Sequence, residues 1–308
     1  MALHPRIDDL LELRHQAHTL GIASHHLVNS NFSGLYASVF RGAGLNFEEV
    51  RQYREGDDIR NMDWKVTART NQPHLKVFRE ERERGVVFCV DNGPHMAFGT
   101  RGTFKSIQAA RATALLGWAA SRQHDRVGGL LFGDISTGPK YFQPSRGPRA
   151  LWRLLNALTA PGAEGTEEID CMGAALRRAE QGTSTGSLIF VIADFNRDIG
   201  SLEWTLGSMR QRHAVVLLPI DDPADWEIPA MGPTVFTGPN GELMEVDTND
   251  RQAQQTYRAA WQARRDTVLA IANRLNLLVL PLRTDEEIHV TLLQNLQRYA
   301  HVRTLLPL

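Results

Sequence analysis

The stretch Gly85–Asp91, GVVFCVD, is the strongest indicator of the fold, because it is a continuous apolar run that ends in a carboxylate. Three later runs repeat this character: RVGGLLFGD at 126–134, SLIFVIAD at 187–194 and HAVVLLPID at 213–221. Strands that are apolar at every position are typical of sheets covered on both faces by helices. The sequence therefore predicts an α/β fold with a doubly wound, mostly parallel sheet.

Helical patterns and a predicted hairpin lie between and after these apolar runs in the sequence. The turn formers Thr137, Gly138 and Pro139 predict a return strand, which would be one antiparallel edge strand of the sheet. Helices are expected at 105–123, 148–159, 168–181, 200–211, 250–275 and 285–299, with a last strand near residue 279. We assign 85–308 to the α/β domain, with a β-hairpin insertion at about 222–249.

Composition excludes several classes of protein. The chain has 308 residues and a formal net charge of −1, which argues against a nucleic-acid binder that neutralises phosphates. Its two cysteines cannot build a disulfide framework, and Cys89 is expected to be a buried thiol. The sequence shows no signal peptide and no apolar run long enough to span a bilayer. We expect a cytoplasmic protein without direct membrane insertion.

Residues 1–84 do not follow the α/β alternation. An amphipathic helix begins near Ile7, and short extended pieces are expected at 35–40, 65–70 and 75–78. Residues 41–84 contain ten basic and nine acidic residues, interleaved with glycines and aromatics. Such a stretch is either a solvated face or an ordered ionic network that serves as structural support or a partner surface. We interpret 1–84 as a β-rich appendage, and we expect Trp64 to pack between it and the α/β domain.

The charged segment carries a specific motif, GxGxxFxExRxYxxGDDxRxxDWxxxAR, over residues 42–69. This motif closely resembles the signature of the family called domain of unknown function 58, and the resemblance covers nearly the whole chain from about Phe32. It implies a von Willebrand factor A-like fold and a partnership with a MoxR-type AAA+ ATPase. The signature residues are candidates for partner binding: Arg51, Tyr53, Gly56, Asp57, Asp58, Arg60, Asp63, Trp64 and Arg69.

The same resemblance implies a degenerate metal site at the strand ends. In von Willebrand factor A domains the first strand ends in DxSxS, and a Thr and a second Asp complete a Mg²⁺ site. Here Asp91 and Asp194 match the acids and Thr166 matches the threonine loop, but His95 replaces a hydroxyl. We therefore expect no cofactor, with Mg²⁺ at this site as the alternative. The structural interpretation is that Asp91 caps a loop or pairs with a basic group.

The segment GTRGTFKS, residues 99–106, is weighed as a phosphate-binding loop. That loop requires Gly directly before the Lys, and Phe104 stands there instead. Lys105 and Ser106 are therefore interpreted as ordinary residues in the first turn of a helix.

Two functional hypotheses follow. The first is a non-enzymatic interaction module, an adaptor or chaperone-like partner of a MoxR-type AAA+ ATPase that acts on a client protein. Its contact surface would be the strand ends around Asp91, or the signature segment. The second is a metal-dependent hydrolase that uses Asp91, His95 and Asp194. No nucleophile motif is found in the sequence, and this favours the first hypothesis.

Overall fold

The structure is a computed structural model, and it describes residues 4–19, 49–53, 62, 64–70, 72–77, 84–133, 138–160, 172–197, 199–237 and 242–305. The chain divides into two compact units. One unit contains residues 1–39 and 84–308, and the other contains residues 40–83.

A seven-stranded sheet forms the centre of the larger unit. Its strands are β3 (Gly85–Asp91), β4 (Arg126–Phe132), β5 (Lys140–Ser145), β6 (Leu188–Ala193), β7 (Ala214–Asp221), β10 (Leu278–Val279) and β11 (Leu282–Arg283). The order is β10-β7-β6-β3-β4-β5, and β11 also pairs with β7. All pairs are parallel except β4 with β5. The predicted mostly parallel sheet with one antiparallel edge strand is confirmed.

Helices cover both faces of this sheet. They are α1 (Ile7–Thr19), α3 (Lys105–Arg122), α4 (Pro148–Leu158), α5 (Met172–Gln181), α6 (Glu203–Arg212), α7 (Arg251–Arg274) and α8 (Ile288–Leu305). Successive strand residues point to opposite faces of the sheet. Since helices cover both faces, every residue of β3 is buried. On one face Phe88 stacks on Phe190 with ring centroids 5.1 Å apart. On the other face Cys89 lies in the core, and burial raises the pKa of its thiol to about 12.

Helix α1 packs against α3 and belongs to the larger unit. The Leu10 side chain is buried, and the Trp118 indole Nε1 donates a hydrogen bond to the Leu10 carbonyl at 3.2 Å. The Arg14 guanidinium lies 5.5 Å from the centre of the Trp118 ring. The sequence analysis grouped this helix with the charged segment, whereas its apolar face covers part of the α/β core.

Residues 40–83 contain β1 (Glu49–Gln52), α2 (Trp64–Thr70) and β2 (His74–Val77), with β1 and β2 antiparallel. The predicted extended piece at 65–70 is wrong, because these residues are helical. The β-branched residues Val66, Thr67 and Thr70 indicated a strand, but no Gly or Pro interrupts the run. The Trp64 side chain is 68% exposed, and its packing between the appendage and the α/β domain stays a prediction.

A second small hairpin precedes α7. Strands β8 (Pro233–Thr237) and β9 (Leu243–Asp247) pair antiparallel and form a sheet of their own. The structure thus has a hairpin where the sequence predicts one, although its turn residues Pro239, Asn240 and Gly241 lie outside the described residues. No helix in the described part of the chain has both the length and the apolar character needed to cross a membrane.

Candidate functional site

The candidate site lies where the parallel strands of the sheet end. Strand β3 ends at Asp91, Asp194 directly follows β6, and β7 ends at Asp221, which Asp222 follows. After β3 the chain continues to β4 and β5 on one side and then returns to β6 on the other side. Ligand sites of doubly wound sheets lie at such a reversal of strand order. The sequence analysis correctly placed Asp91 and Asp194 on neighbouring strands.

The Asp91 carboxylate is buried and fully engaged by protein groups. Its Oδ1 accepts a hydrogen bond from the Gly93 backbone N–H at 3.0 Å, and its Oδ2 accepts one from Arg197 Nη2 at 2.8 Å. His95 Nε2 lies 3.1 Å from the same Oδ2 and 3.9 Å from Asp194 Oδ1. Asp91 therefore both caps its loop and pairs with a basic group, the two roles of the structural interpretation.

Two glycines make room for this arrangement. A Cβ at Gly133, where φ is +94°, would lie 2.6 Å from Asp91 Oδ1. A Cβ at Gly93 would lie 2.6 Å from Cε1 of His95. Gly133 therefore lets the end of β4 lie against Asp91 and Gly93, and Gly93 leaves room for the His95 ring.

Lys105 connects Asp194 to a second buried carboxylate. Its side chain is 2% exposed, and its Nζ lies 3.4 Å from Asp194 Oδ2 and 2.9 Å from Asp225 Oδ1. Burial would raise the pKa of Asp194, but Lys105 and then His95 outweigh it, so the pKa lies below its usual value. For Asp225 burial dominates, and its pKa lies above the usual value. A single ammonium thus lies between two carboxylates of unequal acidity.

Asp222 fixes the loop after β7. Its carboxylate accepts hydrogen bonds from the Thr100 hydroxyl at 2.5 Å, from the Thr100 amide at 2.8 Å and from the Thr284 hydroxyl at 2.5 Å. Burial tends to raise the pKa of Asp222, but these bonds, led by the Thr100 hydroxyl, lower it below the usual value. Asp222 and Asp225 also form a capping box around the short turn 223–225. The loop is therefore held by two distant segments, those of Thr100 and Thr284, and by its own capping box.

Arg265 ties α7 to the ends of β6 and β7. Its Nε donates to both Asp221 carboxylate oxygens, at 2.9 and 3.0 Å, and its Nη2 donates to the Asp194 carbonyl at 2.6 Å. A guanidinium that serves a carboxylate and a backbone oxygen at once holds both strand ends in register.

The described side chains do not fit a Mg²⁺ site. Arg197 Nη2 lies 2.8 Å from Asp91 Oδ2, and Lys105 pairs with Asp194. Cationic side chains thus already occupy the two carboxylates that would bind the metal ion. Gly93 supplies no hydroxyl, and Thr166 lies outside the described residues. Within the described ranges, no group of three or more His, Cys, Asp or Glu side chains is arranged to hold a metal. We therefore derive no chemistry through a metal.

The signature residues lie in the smaller unit, residues 40–83, and most of them lie outside the residues that the structure describes. Arg51 is in β1, and the Tyr53 amide donates to the Pro73 carbonyl at 2.8 Å. Trp64 and Arg69 are exposed on α2. The remaining candidates lie outside the described residues: Gly56, Asp57, Asp58, Arg60 and Asp63. Their role in partner binding stays a prediction.

Sequence reasoning missed the cations of this site. Lys105 is at the start of α3 as predicted, but it is a buried ion-pair partner and not an ordinary first-turn residue. Arg197 lies three residues after Asp194, and no local pattern marks it as a site residue. The available signal was charge balance: buried strand-end carboxylates require cations nearby, and a lone Lys or Arg beside them is the natural candidate.

Comparison with known proteins identifies a family but no activity. Uncharacterized protein Rv1480 of Mycobacterium tuberculosis is 29% identical over 276 residues, which cover 87% of this chain and 84% of that protein. Uncharacterized protein Mb1516 of Mycobacterium bovis matches to the same extent. The crystal structure of conserved hypothetical protein BatB from Bacteroides thetaiotaomicron aligns with a TM-score of 0.40 and 15% identity over 71% of this chain and 99% of that one. A family model matches residues 49–267, and the chain therefore belongs to the family described as Protein of unknown function DUF58.

Proposed function

We propose that this protein is a non-enzymatic interaction module, a von Willebrand factor A-like adaptor or chaperone-like partner of a MoxR-type AAA+ ATPase in the cytoplasm. The observation that carries the proposal is the pairing of the strand-end carboxylates with cations of the same chain, Arg197 on Asp91 and Lys105 on Asp194. A carboxylate held by a buried cation serves as a base or ligand only after that pair is broken. Such a site is suited to rigid presentation of a surface.

The proposed class of partner rests on the resemblance of residues 42–69 to the family signature. Members of that family are usually encoded beside MoxR-type ATPases. Exposed Trp64 and Arg69 support a contact role for this segment, because large amphipathic and cationic side chains are enriched at protein interfaces. Mixed charges on such a surface give specificity and salt-sensitive association.

The test is recovery of the ATPase by the full chain. Tagged protein is used to capture partners from a lysate of its source organism, with and without ATP, and the captured proteins are identified by mass spectrometry. We expect a MoxR-type ATPase that the Arg60→Ala/Asp63→Ala variant loses and that the matched surface variant Glu12→Ala/Arg149→Ala retains. Failure to recover any such ATPase in either condition would contradict the proposal.

The hydrolase hypothesis has less support, because Arg197 occupies the carboxylate that a metal would need. Metal analysis of protein purified without chelator separates the two. Stoichiometric Zn²⁺ or Mn²⁺ that disappears in Asp194→Ala would favour the hydrolase and count against the adaptor. A folded Asp194→Ala protein, with no metal in either form, would remove the hydrolase.

A further inference from the structure

We propose that the groove between the β8–β9 hairpin and the first half of α7 binds a basic amphipathic helix of a partner protein. The proposal rests on the proposed function in one respect, since it gives the interaction module a second, chemically defined contact surface. Nothing in the strand-end site or the family signature assigns a role to this groove.

The groove is large and apolar. It encloses about 1000 Å³, and six of its lining side chains are Phe98, Ile228, Phe236, Met244, Val246 and Tyr257. Met244 is 55% exposed and Phe98 is 41% exposed, so water covers apolar surface here. A concave apolar surface of this volume accommodates several side chains of a ligand, and exposed apolar patches of this kind mark interaction sites.

The walls of the groove match a helix. On α7 the lining residues Ala253, Thr256, Tyr257 and Ala260 recur at i, i+3, i+4 and i+7, which places them on one face of that helix. Three of these four are small, and small side chains allow a second helix to approach closely, at an interaxial distance of about 8–10 Å. The opposite wall consists of alternate hairpin residues, Phe236 on β8 and Met244 with Val246 on β9.

The charge around the groove selects a basic partner. Residues 222–250 contain seven acidic side chains and no Lys, Arg or His, and the first half of α7 adds the basic residues Arg251 and Arg258. Five of the seven are exposed, namely Glu227, Glu242, Glu245, Asp247 and Asp250, although Glu245 and Asp247 alternate with Met244 and Val246 and so lie on the other face of β9. Among the described residues that line the groove, none is basic and Asp250 is acidic. A segment with Lys or Arg on one face and Leu or Met on the other is therefore complementary in both respects.

The floor of the groove is fixed by hydrogen bonds. The Tyr257 hydroxyl donates to the Ala224 carbonyl at 2.8 Å, and the Thr248 hydroxyl donates to the Gly232 carbonyl at 2.9 Å. Thr100, which also lines the groove, is held by Asp222. Because little ordering is needed on this side, most of the binding free energy would come from apolar burial and charge.

The probe is a fluorescein-labelled peptide of Leu and Lys only, about 18 residues long so that it forms five helical turns with separate apolar and basic faces. Fluorescence anisotropy with the full chain at ~0.15 M salt should show saturable binding at micromolar protein concentration. Two control peptides are a scrambled sequence of the same composition and a Leu/Glu helix. We expect both to bind at least about ten-fold more weakly. The scrambled peptide has no separate apolar face, and the Leu/Glu helix carries negative instead of positive charge.

Two variants locate the binding. Met244→Ser should weaken the Leu/Lys peptide about ten-fold by removing an apolar anchor. Glu227→Lys/Glu242→Lys should weaken it by a similar factor of about ten, whereas the matched reversal Glu12→Lys/Glu287→Lys on other exposed positions should leave it unchanged. The charge variant keeps the test valid if Met244→Ser fails to fold.

Several results would overturn the proposal. These are the absence of saturable binding, equal binding of either control peptide, and wild-type affinity in both variants. A chain that is dimeric by sedimentation and binds no peptide would assign the groove to a second copy and also overturn it. If the ATPase is captured but the peptide does not bind, the groove proposal is refuted and the adaptor proposal stands. If the peptide binds but no ATPase is captured, only the groove proposal stands.

Discussion

Lys105 and Asp225 form a buried ion pair, with Nζ 2.9 Å from Oδ1, although 120 positions separate them in the sequence. The pair joins the start of α3 to the loop after β7. Asp194 shares the same ammonium from the end of β6. Three segments that are distant in the chain therefore converge on one cation, and this convergence makes the region sensitive to single substitutions.

Lys105→Met should destabilise the protein by about 3–5 kcal/mol, because it leaves two buried carboxylates without their cation. The free energy of unfolding is measured by urea denaturation. The double variant Lys105→Met/Asp225→Leu should recover part of the loss, since one uncompensated charge is then removed. The exposed Lys140→Met serves as the control and should change stability little. A similar cost for Lys105→Met and Lys140→Met would show that the ion pair contributes nothing.

Gly133→Ala should cost more than Gly186→Ala, although both glycines have positive φ angles, +94° and +86°. At Gly186 no atom lies within 4 Å of an added Cβ, so only backbone strain of about 1–2 kcal/mol applies. At Gly133 the Cβ would lie 2.6 Å from Asp91 Oδ1, which adds a steric cost of about 1–3 kcal/mol. Thermal melts of both variants give the difference, and equal melting temperatures would contradict the packing described here.

Leu10→Ala should destabilise the larger unit by about 2–5 kcal/mol, because Leu10 is 1% exposed against α3. Glu12→Ala, on the exposed side of the same helix, should change the free energy of unfolding by less than about 0.5 kcal/mol. Urea denaturation distinguishes the two. If Leu10→Ala behaves like Glu12→Ala, α1 does not contribute to the core.

Trp64→Ala should leave the melting temperature nearly unchanged, with a stability change within about 0.5 kcal/mol, because the side chain is 68% exposed. The same variant should weaken capture of the ATPase if the signature segment is the contact surface. A drop of several degrees in melting temperature would instead support the sequence-based prediction that Trp64 packs against the α/β domain.

His213 should make the protein less stable as pH falls below about 6.5. Burial lowers the pKa of this ring, and Arg212 adds to the effect, while Glu180 opposes it. The unfolded chain therefore binds more protons than the folded one from about pH 6.5 down to the lowered folded value, so stability decreases across that window as pH drops. This contribution is retained above pH 6.5 and lost below the folded pKa.

The measurement for His213 is the melting temperature from about pH 7.5 to 5.5, a range that brackets the unperturbed pKa. His213→Leu should flatten the decline, and the exposed His4→Leu should not. Some decline should persist in His213→Leu, because burial also lowers the pKa of His289. An unchanged slope in His213→Leu would contradict the assignment.

The central fold could be predicted because each core strand is apolar along its whole length, and only a sheet buried on both faces requires this. Asp91 and Asp194 could be placed together because the ends of parallel strands meet at one edge. Helix α2 was missed because its β-branched residues favour strands locally, and local preference is weak against context. Lys105 was missed because its partners are 89 and 120 positions away, and contacts of that range leave no local pattern.

The packing of α1 on α3 has a consequence during synthesis. The Leu10 carbonyl accepts its hydrogen bond from a Trp118 that is 108 residues later in the chain. At translation rates of roughly 5–20 residues per second, Trp118 leaves the ribosome roughly 5–20 s after Leu10. Throughout that interval the apolar face of Leu10, Leu13 and Ala17 stays in water. Helix α1 is therefore completed as a packed element only after strand β3 and most of α3 have followed it.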